Sequence, residues 1–477
     1  MPTRRTGPPT TATTTRKSGS TPRRGGSSSS RTCARCGRCD SAAREGENMQ
    51  RPRILAFALA AIAVAAASDG ATFYCDPEAG SAQGDGSVEK PWRTIEEVLS
   101  AGLIRICDQD GKPANPAAPV KPGDTVLLRS GWHGVIRIVR GFNDRPIAIA
   151  ADKGHAPQVG WVEIGEGRKW LIKGLTISPS LAPSPLERRP RHLVVLGERG
   201  GEDSADLVVE DCFIYSTLDT SGWTGKDWVE KPASGIWLGR HGKRHVARNN
   251  YVLNTRFAID LCAPECVCEG NVVDRFSADG IRATRDGQVV QYNVIKNILV
   301  GAEDGDPNHD DGIQVFLFNV GSGTVRGIEI RGNIIIARER DDLPFPNGLQ
   351  GIGCFDGPLV GFLVEKNVVC VNHWHGITLG DAQGCTVRDN TAFSRWGGKA
   401  LPWVMLGQKK NLARGNIARG NRAHSFSFDA DPEVKAEDNE KVTEAIFRQR
   451  LAELSAAIDA RFGALHPAAK RPRLEAR

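Results

Sequence analysis

The sequence predicts an all-β chain: a right-handed parallel β-helix solenoid with coils of about 22 residues and short helical caps at both ends. Two recurrences carry this expectation. The first is a set of short alternating apolar runs, "VVEDCFI", "VARNNYV", "VCEGNVV", "VVQYNVI", "IEIRGNIII", "LVEKNVV", "TVRDNTA" and "LARGNIA". Each is broken by a polar residue at one phase, giving the column Asp211, Asn250, Asn271, Asn293, Asn333, Asn367, Asn390 and Asn416. Successive steps are 39, 21, 22, 40, 34, 23 and 26 residues, so the longer steps need insertions or a missed coil. The second recurrence is "SGIWL", "FAIDL", "DGIRA", "DGIQV", "QGIGC" and "HGITL", a strand placed between those runs. A unit this short cannot bury its own apolar face, but stacked copies can. An ordinary β-sandwich also repeats strands, yet it does not require Asn at one fixed phase. A stacked Asn suits a corner, where it is expected to adopt the left-handed conformation and bond to the Asn of the next coil.

Residues 1–48 are rich in Arg, Ser, Thr, Gly and Pro and are expected to be a disordered tail that need not be translated. Much of the formal charge of +6 lies there, so it implies no nucleic-acid partner. The tail's "CARCGRC" has metal-ligand spacing with only three thiols and no partner pair nearby. Residues 49–67 read as a signal peptide: Arg51 and Arg53 precede the apolar Ile54 to Ala66, with Ala65 and Ala67 as small residues at the cleavage positions. That run is too short for a stable span, so a secreted or periplasmic protein with no membrane span after cleavage is expected. Translation would start at Met49.

Residues 68–135 are assigned to an N-terminal cap and first coils, 136–425 to the β-helix, and 426–477 to a C-terminal helix and basic tail. "PWRTIEEVL" presents Ile95, Val98 and Leu99 on one helical face, and Phe447, Leu451, Leu454, Ile458 and Phe462 recur at helical spacing. That second stripe reads as a capping contact, not a partner-binding surface, and a monomer is expected. Nine of the twelve cysteines follow the signal; in an exported chain they can oxidise, and Cys75 with Cys107 brackets the first segment.

"GDGSVEKPWRTIEEVL" (Gly84 to Leu99), followed by "VKPGDTVLLRSGWH" (Val120 to His133), resembles the N-terminal segment of pectate-lyase-like right-handed β-helix proteins. That superfamily includes polysaccharide lyases, uronate epimerases, glycoside hydrolases and phage tailspikes, so the resemblance implies the fold and leaves the chemistry open.

Stacking the second strand by phase gives two columns. Ser234, Phe257, Asp279, Asp311, Gln350 and His375 precede the small residue, and Trp237, Asp260, Arg282, Gln314, Gly353 and Thr378 follow three places later. Alternation turns Arg282 and Gln314 outward. Asp279 and Asp311 should stand one rung apart with Asp310 beside them, too close for all three to stay ionised without compensation. A proton, a cation or Arg282 would compensate. Solvated turn carboxylates are the bland alternative, since "DG" is a common turn. His309, His373 and His375 fall on the same face, and this company favours a site. The catalytic candidates are therefore Asp279, Arg282, His309, Asp310, Asp311, His373 and His375. Trp237, Asp260, Gln314 and Gln350 are the substrate-binding candidates. Calcium, which prefers oxygen ligands, suits Asp279, Asp310 and Asp311. Trp374 is expected to be able to pack into the core. "SGWTGKDWVEK" (Ser221 to Lys231) reads as a loop over the groove, either a lid or an ordered surface loop.

These residues point to an acidic polysaccharide and to three functions. The first is a lyase that neutralises a uronate carboxylate with calcium or Arg282 and abstracts the C5 proton with Arg282, His373 or His375; a C5-epimerase shares that step. The second is a hydrolase. "SADG", "HDDG" and "HWHG" resemble the polygalacturonase-type motifs, which implies roles for Asp279, Asp310, Asp311 and His375. Ala278 and Trp374 depart from that pattern, and the "LQGIGC" coil sets His375 about two rungs, roughly 10 Å, from Asp311. The third is a non-catalytic carbohydrate-binding solenoid. The lyase reading is preferred.

Overall fold

The computed structural model describes residues 70–199, 203–301, 305–306, 309–316, 323–345, 348–408 and 412–463. The expectations for the tail at 1–48, its cysteine motif and the signal at 49–67 lie outside these residues. Each coil contributes a strand to each of three faces, and the register is parallel throughout the faces. Ser234–Leu238, Val246–Arg248 and Tyr251–Thr255 form one coil; Ile259–Leu261, Val267–Glu269 and Val272–Phe276 form the next. Near the N-terminus two long strands, Ile136–Ala151 and Val162–Lys173, bend across the first two faces, so one strand serves both sheets.

The core is built from stacked identical positions. Ile236, Ile259, Ile281, Ile313, Ile352, Ile377 and Val404 pair successively on the first face, and all are buried. With inward and outward residues alternating, every such row sends the next residue to the groove side. The second face turns a polar row outward, in which Arg248 and Gln291 both donate to Glu269, at 2.7 Å each, and Arg331 donates to Gln291.

The Asn column lies at the corner between the second and third faces, and its interior members are those expected. From Asn250 through Asn271, Asn293, Asn333 and Asn367 to Asn390, each backbone N–H and side-chain amide donates to the Oδ1 of the next. Its ends differ from expectation. Cys212, not Asp211, donates to Asn250, and the row continues through Asn421 to Asn439 and not through Asn416. Asn416 stands at a different corner, where it accepts from Cys385 and donates to Asp431. The left-handed residue is also the one before each Asn: Asn249, Tyr292, Lys366, Asp389 and Asp438 have φ between 50° and 57°, and Gly270, Gly332 and Gly420 between 61° and 67°. Bending the chain there leaves the Asn free to point inward along the stack.

Helix α1 (Ile95–Ser100) starts at Thr94, whose side chain accepts from the Glu97 N–H, and buries Ile95 and Val98. Helix α2 (Gly225–Glu230) lies within the "SGWTGKDWVEK" loop. A reciprocal Thr224–Asp227 cap holds it, and Trp228 is buried beneath it, so this loop is an ordered wall. Helix α3 (Glu444–Phe462) caps the C-terminus by lying along the third face, where Phe447 and Ile458 bury against Val294, Ile334, Val368 and Phe393. At Gly270 a Cβ would come within 2.7 Å of the Phe462 ring, so only glycine leaves room for the helix end. All nine described cysteines are buried free thiols. They behave as small apolar residues, and burial pushes Cys212 and Cys266 up to about 12. Among the described residues no helix is long and apolar enough to cross a membrane.

Candidate functional site

On the first face the two columns expected from phase are formed. Strand pairing sets Trp237, Asp260, Arg282, Gln314, Gly353, Thr378 and Met405 in one outward row. Backbone bonds link the coil edges at Phe257, Asp279, Asp311 and His375, and Asp311 pairs directly with Gln350.

Asp260, Asp279 and Asp311 form a buried carboxylate group partnered by Arg282 and His309. Asp279 Oδ2 accepts from Arg282 Nε at 2.6 Å and its Oδ1 accepts from the Asp311 backbone N–H at 2.9 Å. Arg282 Nε stands 3.8 Å from Asp260, and the guanidinium lies 3.7 Å from the centre of the Phe257 ring, which fixes its plane. Asp311 Oδ2 accepts from His309 Nδ1 at 2.8 Å and Gln314 Nε2 at 3.2 Å. Its Oδ1 is buried without a hydrogen-bond partner among the described residues. That oxygen lies against Gly353 of the next coil, where a Cβ would collide with it. Burial pushes Asp260 up to about 7 despite Arg282, and Asp311 up to about 7 despite His309, with Asp279 adding to the Asp311 effect. Burial also raises Asp279, outweighing Arg282. The hydrogen bond to Asp311 in turn holds His309 above its ordinary value. Two adjacent carboxylates are tolerated because Asp311 turns into the wall under His309. Asp310 is buried beside it, and its carbonyl accepts from Gln350.

Two coils further on, His375 is held differently. Its Nδ1 lies 3.0 Å from Thr378 Oγ1, which also accepts from Trp403 Nε1 at 3.0 Å. A hydroxyl can either donate to that nitrogen or accept from it, so both neutral tautomers fit. Burial, with His373 and His309 nearby, pushes His375 down to about 4. His373 Nδ1 accepts from the His375 backbone, and burial lowers its pKa too. Trp374 stays outside the core, 47 % exposed and tilted against His373. Phe355 stands between the two imidazoles, with ring centres 5.4 Å from His309 and 4.9 Å from His375. His309, Gln350, Phe355, His375, Thr378 and Met405 line a cavity of about 380 Å³.

A second cavity, about 720 Å³, opens on the other side of Arg282 and is walled by arginines from the loops around His192–Leu196. Trp237 lies in it, its Nε1 donating to Glu198 at 2.7 Å and its ring tilted against His192. Strand phase places neither these arginines nor Phe355, because they lie on loops beyond the strands. The dense "ERRPRH" (Glu187 to His192) was the available signal.

The Asp279 and Asp311 carboxylates do not fit calcium. Three of the four Asp279 and Asp311 oxygens already accept N–H donors, and Arg282 occupies the place of a cation. Among the described residues no group of three His, Cys, Asp or Glu converges as a ligand set.

No family model matches the chain, and no curated protein matches it. Solved structures similar to it include a glycoside hydrolase, 10 % identical over 80 % of this chain and 98 % of that one, with a TM-score of 0.42. A rhamnogalacturonan lyase is 12 % identical over 79 % and 90 %, with a TM-score of 0.38. The A-module of an Azotobacter vinelandii mannuronan C-5 epimerase is 11 % identical over 67 % and 91 %, with a TM-score of 0.33. Likenesses of this size say nothing about this chain's chemistry. Its three faces of stacked parallel strands, with an Asn row at one corner, are those of a parallel β-helix.

Proposed function

We propose that the chain is an exported enzyme that cleaves a uronic-acid-containing polysaccharide by β-elimination. The observation that supports this most is a pair of imidazoles at opposite protonation poise in one cavity. The hydrogen bond to Asp311 raises the pKa of His309, and burial pushes that of His375 down to about 4. β-Elimination needs a base at C5 and an acid at the leaving oxygen. With Nδ1–H donated to Thr378, His375 presents its Nε2 lone pair and takes the C5 proton. The C4–O4 bond breaks as the C4–C5 double bond forms, and His309 delivers the proton to the departing oxygen. The Gln350 amide, on the wall between them, hydrogen-bonds the uronate carboxylate. Arg282 recognises a neighbouring anionic group through its terminal nitrogens. It is a poor base, because a guanidinium stays charged and has no lone pair to offer. His373 supports His375 from the rim.

A hydrolase needs two carboxyl groups at the glycosidic bond. The Asp279 and Asp311 side chains expose none of their surface, which argues against that contact. Ultraviolet absorbance of unsaturated products over a panel of uronic-acid polymers tests the reading, with His375→Ala expected to be inactive. New reducing ends without absorbance would establish hydrolysis instead, and inversion at C5 without cleavage would establish an epimerase. No chemistry on any polymer would leave a binding protein.

A further inference from the structure

We infer that the arginine-walled cavity around Trp237 is a remote subsite for an anionic sugar of an extended glycan, taking a carboxylate or sulfate group well away from the reacting bond. This deepens the reading of the first face as a polysaccharide groove and rests on it. Arg188, Arg189, Arg191, Arg199, Arg240 and Arg256 line the cavity, and Arg282 closes it toward the carboxylates. Arg256 is paired with Asp306 at 2.8 Å, and Glu163, Glu198, Glu230 and Asp260 are the acidic residues of the lining. Their charges are largely committed: Glu163 lies within 3.9 Å of Arg188 and within 3.3 Å of Arg199, and Glu198 accepts from Trp237. Arg189 and Arg191 form no ion pair among the described residues. Guanidinium groups gathered in one concavity repel one another, and a planar oxyanion that bonds two N–H groups at once relieves this.

Trp237 supplies the other half of a sugar site. Its indole is fixed by Glu198 on one edge and by His192 beside it, with Arg240 5.7 Å from the ring centre. A fixed aromatic face next to charged donors suits a sugar ring carrying an anion. The outward row from Trp237 through Asp260, Arg282, Gln314 and Gly353 to Thr378 spans five strand steps. At about 4.8 Å per step this is roughly 24 Å, the length of several sugars and not of one. The cavity therefore reads the polymer ahead of the bond it breaks.

Isothermal titration of the intact chain with three probes tests this: a galacturonate hexamer, its carboxyl-reduced neutral counterpart, and a sulfated neutral hexamer. We expect one or both anionic hexamers to bind at least about tenfold more tightly than the neutral one, with affinity falling as salt rises. The ratio between the two anionic probes tells carboxylate from sulfate. The double variant Arg189→Ala/Arg191→Ala should lose about tenfold in affinity for the preferred anion at an unchanged melting temperature. Trp237→Ala should weaken all probes. Equal affinity for the neutral hexamer, or a double variant that binds like the parent, overturns the inference. Arginine-dependent binding with no turnover on any uronan sinks the elimination reading and leaves the subsite standing. Turnover with arginine-independent affinity does the reverse.

Discussion

Replacing Asn293 with Leu, which is close in shape, removes one rung from the amide row. Asn293 Oδ1 accepts from the Asn271 backbone N–H and from Asn271 Nδ2, both at 3.0 Å. Its Nδ2 donates to the Cys268 carbonyl at 2.9 Å and to Asn333 Oδ1 at 3.0 Å. Two partners survive the change: Asn271 Nδ2 keeps the Ala247 carbonyl, and Asn333 Oδ1 keeps the Asn293 backbone N–H. Two others lose the side-chain partner that held them, the Asn271 N–H and the Cys268 carbonyl, in a site where Asn271 and Asn293 are fully buried. At about 1–3 kcal/mol for each buried group left unpaired, the variant should lose about 2–6 kcal/mol. Asn439, at the half-buried end of the row, provides the comparison. It accepts from Asn421 and donates to Ala418, but water can replace it there, so Asn439→Leu should cost less than about 1 kcal/mol. Urea denaturation of both variants measures the difference, and hydrogen exchange at the Asn271 amide locates it. An Asn293→Leu protein as stable as the parent would refute the reasoning, as would an Asn439→Leu protein equally damaged.

Activity should rise with pH through about 4 as His375 becomes neutral, then fall as pH passes through the His309 value, which lies above the ordinary 6.5. Asp311→Asn removes the carboxylate that holds His309 up, so the alkaline limb of the pH–rate profile should move to lower pH; an unmoved limb removes His309 as the acid. The raised His309 pKa contributes stability that is lost as pH rises through its folded value, while Asp311, itself pushed up to about 7, takes up a proton as pH falls and releases the charge pairing; melting temperature against pH should show the high-pH loss in the parent and not in Asp311→Asn. Gly353→Ala should destabilise by about 1–3 kcal/mol and cut turnover, because its Cβ meets Asp311 Oδ1; a neutral variant contradicts that packing. Chelators should leave activity intact, since three of the four Asp279 and Asp311 oxygens are already bonded to N–H donors; chelator-sensitive turnover restored by calcium would count against the cation role given to Arg282. Exported protein should begin near Ser68, and N-terminal sequencing that recovers peptides from before Met49 in active material contradicts that start.

The sequence by itself determined the solenoid, because its signals are local and repeated. Inward Ile and outward Arg282 or Gln314 follow from a period of two along a strand, and neighbours such as Asp311 and Gln350 follow once the coils share a phase. Local pattern could not decide between two equivalent cues five residues apart. "RGNIARGN" offers Gly415–Asn416 and Gly420–Asn421, and only coil closure sends the second to the amide row and the first to another corner. The carboxylate directions were undetermined for a similar reason: Asp279 and Asp311 sit where a turn enters a strand, and the burial that lifts Asp311 to about 7 comes from neighbouring coils, not from its own segment. Phe355 and the arginine wall arrive from loops, whose paths depend on what the stacked coils leave open. The state of the cysteines follows from position, since buried thiols such as Cys212, Cys268 and Cys385 hydrogen-bond to backbone carbonyls or an Asn side chain and remain free. Period and phase are properties of a segment and survive in the sequence. Burial, charge pairing and the walls of a cavity belong to several coils at once, and only the folded chain decides them.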